Sequence, residues 1–166
     1  MPYALQAFDE KFFSDAPLTY LIDVDIPVSP EAAWGEFTRQ EALDWCKALR
    51  SVRFTSPEPY APGTTRSVAL AGGLKMTENF FLWEEDPASS TYRHAFHGVE
   101  VNVPGLRAFG EYTEVSPTAN GTRLIWKFAM DFAGLRLPGF LSGPIANGAF
   151  SSVRNDTIKH FATFGR

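Results

Sequence analysis

From Val52 to Asp131 the chain reads as strand after strand: VRFTS, TTRSVAL, KMTENFFLWEE, TYRHAFH, RAFGEYTEV and TRLIWKFAMDF. The breaks between them, PEPYAPG, AGGL, DPASS, GVEVNVPGL and SPTANG, are rich in the Gly, Pro, Asn and Asp that close turns. Six strands joined by connections this short form an antiparallel meander, because parallel neighbours need crossovers of about a dozen residues or more.

The flanks complete the pattern. TYLIDVDI (19–26) alternates, with Tyr20, Ile22, Val24 and Ile26 on one face and Leu21, Asp23 and Asp25 on the other, so it is a strand with one buried face. Ser29 as N-cap, Pro30 at the first helical position and Glu31 in the first turn start a helix. QEALDWCKAL (40–49) predicts a second short helix carrying Cys46 beside Trp45. In GPIANGAFSSVRNDTIKHFATF (143–164), Phe150, Val153, Thr157, Phe161 and Phe164 share one helical stripe. Gly143, Ala146, Gly148 and Ala149 in its first half suit either tight packing on the sheet or an open cavity mouth.

A chain of 166 residues fits one domain, taken as 19–166 after a leader over 1–18. Fifteen phenylalanines imply an unusually aromatic core or an apolar pocket. A formal charge of −4 without a Lys/Arg cluster argues against nucleic acid as a partner. One cysteine excludes an intrachain disulfide and any multi-cysteine metal site, and suits a reducing compartment. No apolar run approaches the ~18 residues of a membrane span, and MPYALQAFDEKFF lacks the regions of a signal peptide, so the expected location is the cytoplasm. Three histidines on two elements make a poor zinc site. No catalytic motif is present, and neither metal nor cofactor is expected.

The order of elements is that of the helix-grip fold, and the local sequence agrees. VDIPVSPEAAWGEF resembles the opening strand and helix of the polyketide cyclase/dehydrase-like branch of the START and pollen-allergen superfamily (SRPBCC). APGTTRSV is similar to the segment entering its third strand, EEDPASSTYR to its fourth hairpin, and NGTRLIWKF to the start of its last strand. The resemblance covers residues 19–164. It implies an α+β fold in which a seven-stranded curved antiparallel sheet (β-α-α-β-β-β-β-β-β-α) wraps around a long C-terminal helix. It also implies an internal cavity for lipids, sterols, polyketides or other hydrophobic molecules.

Turn geometry assigns faces to the strands. A two-residue Asn120-Gly121 loop pairs Ala119 with Thr122, Val115 with Trp126, Thr113 with Phe128 and Glu111 with Met130. Leu124, Trp126, Phe128, Met130 and Glu111 then face inward, and Glu114 meets Lys127 outside. Glu111 is an acid on an apolar face, either functional or reaching water at a wide end of the sheet. Around DPASS, Phe80 and Leu82 go inward with Tyr92, His94 and Phe96, leaving Phe81, Trp83, Arg93, Ala95 and His97 outside. Around Ala71-Gly72-Gly73, a three-residue loop pairs Val68 with Met76 and Arg66 with Glu78, facing inward, whereas a two-residue loop sends Arg66 outward.

The expected ligand site is therefore Phe80, Leu82, Tyr92, Phe96, Trp126, Phe128 and Met130, closed by Phe150, Val153 and Thr157. Its polar groups are His94, Glu111, Glu78 and Arg66. A mostly apolar pocket with a few convergent polar groups is the make-up of a small-molecule site, so the expected partner is a small hydrophobic molecule. In an alternative reading, His94 serves as acid or base with Glu111 as its partner, and the resemblance to cyclases implies a cyclisation or dehydration. A third is a protein-interaction module, with FAGLRLPGFLSGPI (132–145) as an interface rather than the lid it more readily suggests.

Overall fold

The computed structural model describes residues 1–134 and 139–164. Its elements are β1 (Tyr3–Ala4), α1 (Phe12–Asp15), β2 (Leu18–Ile26), α2 (Pro30–Thr38), β3 (Leu49–Phe54) and β4 (Thr65–Leu70). They continue with β5 (Lys75–Asp86), β6 (Thr91–Val101), β7 (Leu106–Thr118), β8 (Gly121–Phe132) and α3 (Gly139–Thr163). Seven strands form one antiparallel sheet in the order β2-β8-β7-β6-β5-β4-β3, with β1 added on β6. The sheet curls around α3, the α+β helix-grip architecture expected from the sequence.

Local chemistry sets the ends of the elements. The Ser29 hydroxyl accepts the Ala32 N–H at 3.2 Å and Pro30 opens α2, whose Ala33, Trp34 and Phe37 are buried. Residues 40–49 do not form the second helix their periodicity suggests. They make tight turns, Ala42 N–H to Arg39 O, Cys46 N–H to Leu43 O and Leu49 N–H to Cys46 O, with Leu43 at φ 62°. A left-handed residue cannot continue a right-handed helix, and this arrangement buries Ala42, Leu43 and Cys46 together.

The β7–β8 turn is displaced from the expected register. Thr118 pairs with Gly121 across Ala119-Asn120, so Val115 faces Leu124, Thr113 faces Trp126 and Glu111 faces Phe128. The shift is two residues along the ladder, so the faces are as expected while the partners change. Glu114 lies opposite Ile125, and Lys127 lies over the Tyr112 ring at 5.0 Å. A Cβ on residue 121 would run into the Ile26 carbonyl, so Gly121 starts the strand instead of capping the loop. At the other turn, Ala71-Gly72-Gly73 is a three-residue loop, with Arg66 opposite Glu78 and Val68 opposite Met76.

Ahead of β2, Phe8, Phe12, Phe13 and Ala16 lie on the outer face. β6 and β7 stop pairing beyond His97 and Gly110, and the N-terminal arm enters the gap, with Leu5 N–H to Val99 O and Gln6 N–H to Arg107 O, both at 2.9 Å. A Cβ at Gly98 would lie 2.5 Å from Leu5 Cδ1, and one at Gly110 would strike the Phe96 carbonyl and the Phe8 ring. Phe8, Phe12 and Phe13 then cover Ala95, Tyr112 and Ala129 together with Phe81 and Leu82. Both faces of the sheet are therefore apolar and covered in this region.

In α3, Thr157 and Phe161 are buried and Phe150 and Val153 half-buried, but Phe164 is exposed, so the stripe ends at Phe161. Residues 135–138 of the expected lid or interface lie outside the described residues.

Candidate functional site

Between the inner face of the sheet and α3 lies a cavity of about 320 Å³. That is near the lower end of the ~300–1,000 Å³ typical of small-molecule sites. Its walls include Val52 of β3, Val68 of β4, Met76 of β5, Phe109 of β7, Phe128, Met130 and Phe132 of β8, and Ala149, Phe150 and Val153 of α3. Leu43, Ala48 and Leu49 close one side, and Val103 and Pro104 of the β6–β7 connection with Leu106 of β7 another. The lining is thus richest at the sheet end that carries the 71–73 turn.

The polar groups form one cluster at the cavity's inner limit. Arg66 Nε donates to Glu78 Oε2 at 2.6 Å, with the two residues 2% and 3% exposed. Three rings surround the guanidinium, Phe96 at 4.9 Å, Phe80 at 5.0 Å and Phe54 at 5.5 Å, a desolvated setting in which cation–π attraction is at its strongest. Glu111 Oε2 accepts the Trp126 indole N–H at 2.9 Å, and the rest of its carboxyl faces the cavity. Burial, then the neighbouring Glu78 charge, push the Glu111 carboxyl up to about 8, against the smaller pull of Arg66 and of the indole. Burial also raises Glu78, which Arg66 partly offsets. With one guanidinium for two acids, Glu78 has it in direct contact, and Glu111, which does not, holds a proton at neutral pH.

Of the residues expected to line the cavity, Arg66, Glu78, Glu111, Trp126, Phe128, Met130, Phe150 and Val153 do so. Phe80, Tyr92, His94 and Phe96 face inward but belong to solid core beyond the polar cluster. His94 is 2% exposed and packed by Trp34, Phe80 and Trp83 at ring distances of 4.9, 5.0 and 5.2 Å. Its strand partner is Thr113, while Glu111 pairs with Phe96, so His94 and Glu111 are not the facing pair required by the acid–base reading. Among the described residues neither ring nitrogen has a hydrogen-bond partner. Burial and the Arg66 charge hold the ring well below its ordinary value, so it is neutral.

Two placements depart from strand alternation. A bulge between Phe80 and Leu82 turns Leu82 to the outer face and Trp83 inward, where its indole N–H bonds Glu85 at 3.0 Å. Thr157 is sealed from the cavity, accepting the Trp45 indole N–H at 3.2 Å and donating to Val153 O at 2.8 Å. His97 is outside, as expected, but lies between Phe8 and Phe81 rather than in solvent. Val52, Met76 and Phe109 were legible, since each shares a face with an inward residue of its own or the neighbouring strand. Nothing local pointed to Leu43, Ala48 or Pro104.

Residues 21–163 match the family described as polyketide cyclase/dehydrase and lipid transport. Uncharacterized proteins of Mycobacterium bovis and Mycobacterium tuberculosis are 32% identical over 166 residues, covering 96% of this chain and of each of theirs. Two solved structures share the fold. A START superfamily protein from Mycobacterium smegmatis superposes with a TM-score of 0.66 at 9% identity, covering 87% of this chain and 97% of that one. An aromatase/cyclase from Streptomyces gives 0.63 at 12% identity, covering 89% and 95%.

Proposed function

Because the chain belongs to the polyketide cyclase/dehydrase and lipid transport family, we propose that it binds a small, largely apolar molecule between the sheet and α3. The observation that supports this most directly is the cavity itself: apolar walls meeting the Arg66–Glu78–Glu111 cluster at one place. Apolar contact supplies affinity there, and the cluster selects the polar end of the ligand, since a buried polar group left unpaired costs about 1–3 kcal/mol. Purified protein incubated with a lipid and aromatic-metabolite extract is expected to retain a discrete set of compounds by mass spectrometry. Ala149→Trp, which sets an indole on the α3 wall of the cavity, is expected to lose them. Retention unchanged by that substitution, or no retention by either protein, refutes the reading.

A second reading rests on the same acid. A carboxyl still protonated at neutral pH can give its proton to a leaving hydroxyl, which departs as water, and the carboxylate so formed can take the proton from the adjacent carbon as the double bond forms, which balances a dehydration on one acid. In this reading the acid is Glu111, with no part for His94. A retained compound that the protein converts, and that Glu111→Gln binds without converting, identifies an enzyme.

A further inference from the structure

The cavity's polar cluster has one fixed cation for two acids. Arg66 is engaged by Glu78 at 2.6 Å, and Glu111 has only a neutral N–H, from Trp126, on one of its oxygens. Among the described residues lining the cavity no second Lys or Arg completes the balance, and the same lining holds the rings of Trp126, Phe128 and Phe109. An acid without a counter-charge of its own, half-buried in an apolar cavity lined by aromatic rings, is the chemistry that recognises an organic cation.

We propose that the ligand of this cavity carries a protonated amine, which pairs with Glu111 while its apolar body packs among the rings that line the same cavity. The proposal rests on the cavity being the ligand site and adds the class of its polar end. As the ammonium docks, Glu111 releases its proton to solvent, so the site goes from one cation and one anion to two of each. A carboxylate ligand would instead bring a second negative charge to a single arginine already engaged by Glu78, and an alcohol would leave the charge count unchanged. The other titratable groups around Glu111 keep their state through this exchange. His94 stays neutral, and the Cys46 thiol is held at about 12 by burial and so stays protonated.

Three probes of one size and shape separate the classes: 2-(1-naphthyl)ethylamine, 2-(1-naphthyl)ethanol and 1-naphthylacetate. By calorimetry near pH 8 the amine is expected to bind about tenfold or more tighter than the alcohol, the usual margin of a charge-assisted bond. The acetate is expected to bind weakest. Amine affinity is expected to rise roughly tenfold per pH unit between about pH 6 and 8 and then level off, with about one proton released per amine bound at pH 6–7. Glu111→Gln is expected to abolish both the pH dependence and the preference for amine while keeping the alcohol. Equal binding of amine and alcohol, or amine binding without proton release, overturns the amine assignment and leaves the cavity reading standing. Binding of all three unchanged in Ala149→Trp, or of none to the wild type, overturns the cavity reading and this assignment with it.

Discussion

Glu111→Gln tests the electrostatics of the site without any ligand. The carboxyl is moved from 4.5 to about 8, first by burial and then by Glu78. The fold therefore holds a proton that the unfolded chain releases as pH rises through the ordinary carboxylate range. Below that range both states are protonated and the group contributes nothing. Above it, each pH unit costs the fold roughly 1.4 kcal/mol until the folded group also ionises, a total on the order of 3–5 kcal/mol. This is a large fraction of the ~5–15 kcal/mol by which domains are stable. Glutamine has nearly the shape of the protonated acid, keeps an acceptor for the Trp126 indole and cannot ionise. Urea unfolding of both proteins at intervals from about pH 5 to 9 gives two stability profiles, and titrations common to both cancel in their difference. Glu111→Gln is expected to match the wild type near pH 5 and to exceed it by several kcal/mol near pH 8, with the difference flat beyond. Parallel profiles, or a difference that shrinks as pH rises, refute the assignment of a raised carboxyl to this site.

Further consequences follow from the same packing. Arg66→Met leaves Glu78 buried without its partner and is expected to cost about 3–5 kcal/mol, much of which Arg66→Met/Glu78→Leu recovers, measured by denaturant midpoints. His94 is held neutral in the fold but charges freely when unfolded, so its contribution is present above about pH 6.5 and lost as pH falls below it. His94→Leu is accordingly expected to flatten the acid side of the stability profile. Gly110→Val places a side chain where the Phe8 ring and the Phe96 carbonyl now lie. It is expected to lower stability by about 1–3 kcal/mol and to expose the N-terminal arm ahead of β2 to limited proteolysis, while strands β2 to β8 stay protected.

Where a face of the sheet was set by parity, the sequence was enough. β2 alternates cleanly, and the β8 side chains Leu124, Trp126, Phe128 and Met130 are inward as read. A hairpin loop that slips symmetrically moves the ladder by two and leaves parity intact, which is why Glu111 faces inward although its partner is Phe128 and not Met130. The Arg66–Glu78 pair was legible for a related reason, since only a three-residue turn sets charge against charge and apolar against apolar. Alternation failed at Phe81–Trp83, where the N-terminal arm makes the outer face as apolar as the inner one. Hydrophobicity could not choose between the faces there, and the bulge settled it in favour of Trp83.

The sequence by itself therefore determined the meander from β3 to β8 and the acid facing the interior, because these follow from backbone period and turn chemistry within a few residues, while the helix-grip layout came from the resemblance of its motifs to a known family. Tertiary structure alone decided where the empty space is. His94 and Glu111 both face inward, yet one is sealed by Trp34 and Trp83 while the other lines the cavity. That difference depends on how far side chains from α2, the 40–49 turns and α3 reach into the curl of the sheet, and no local pattern in β6 or β7 records it.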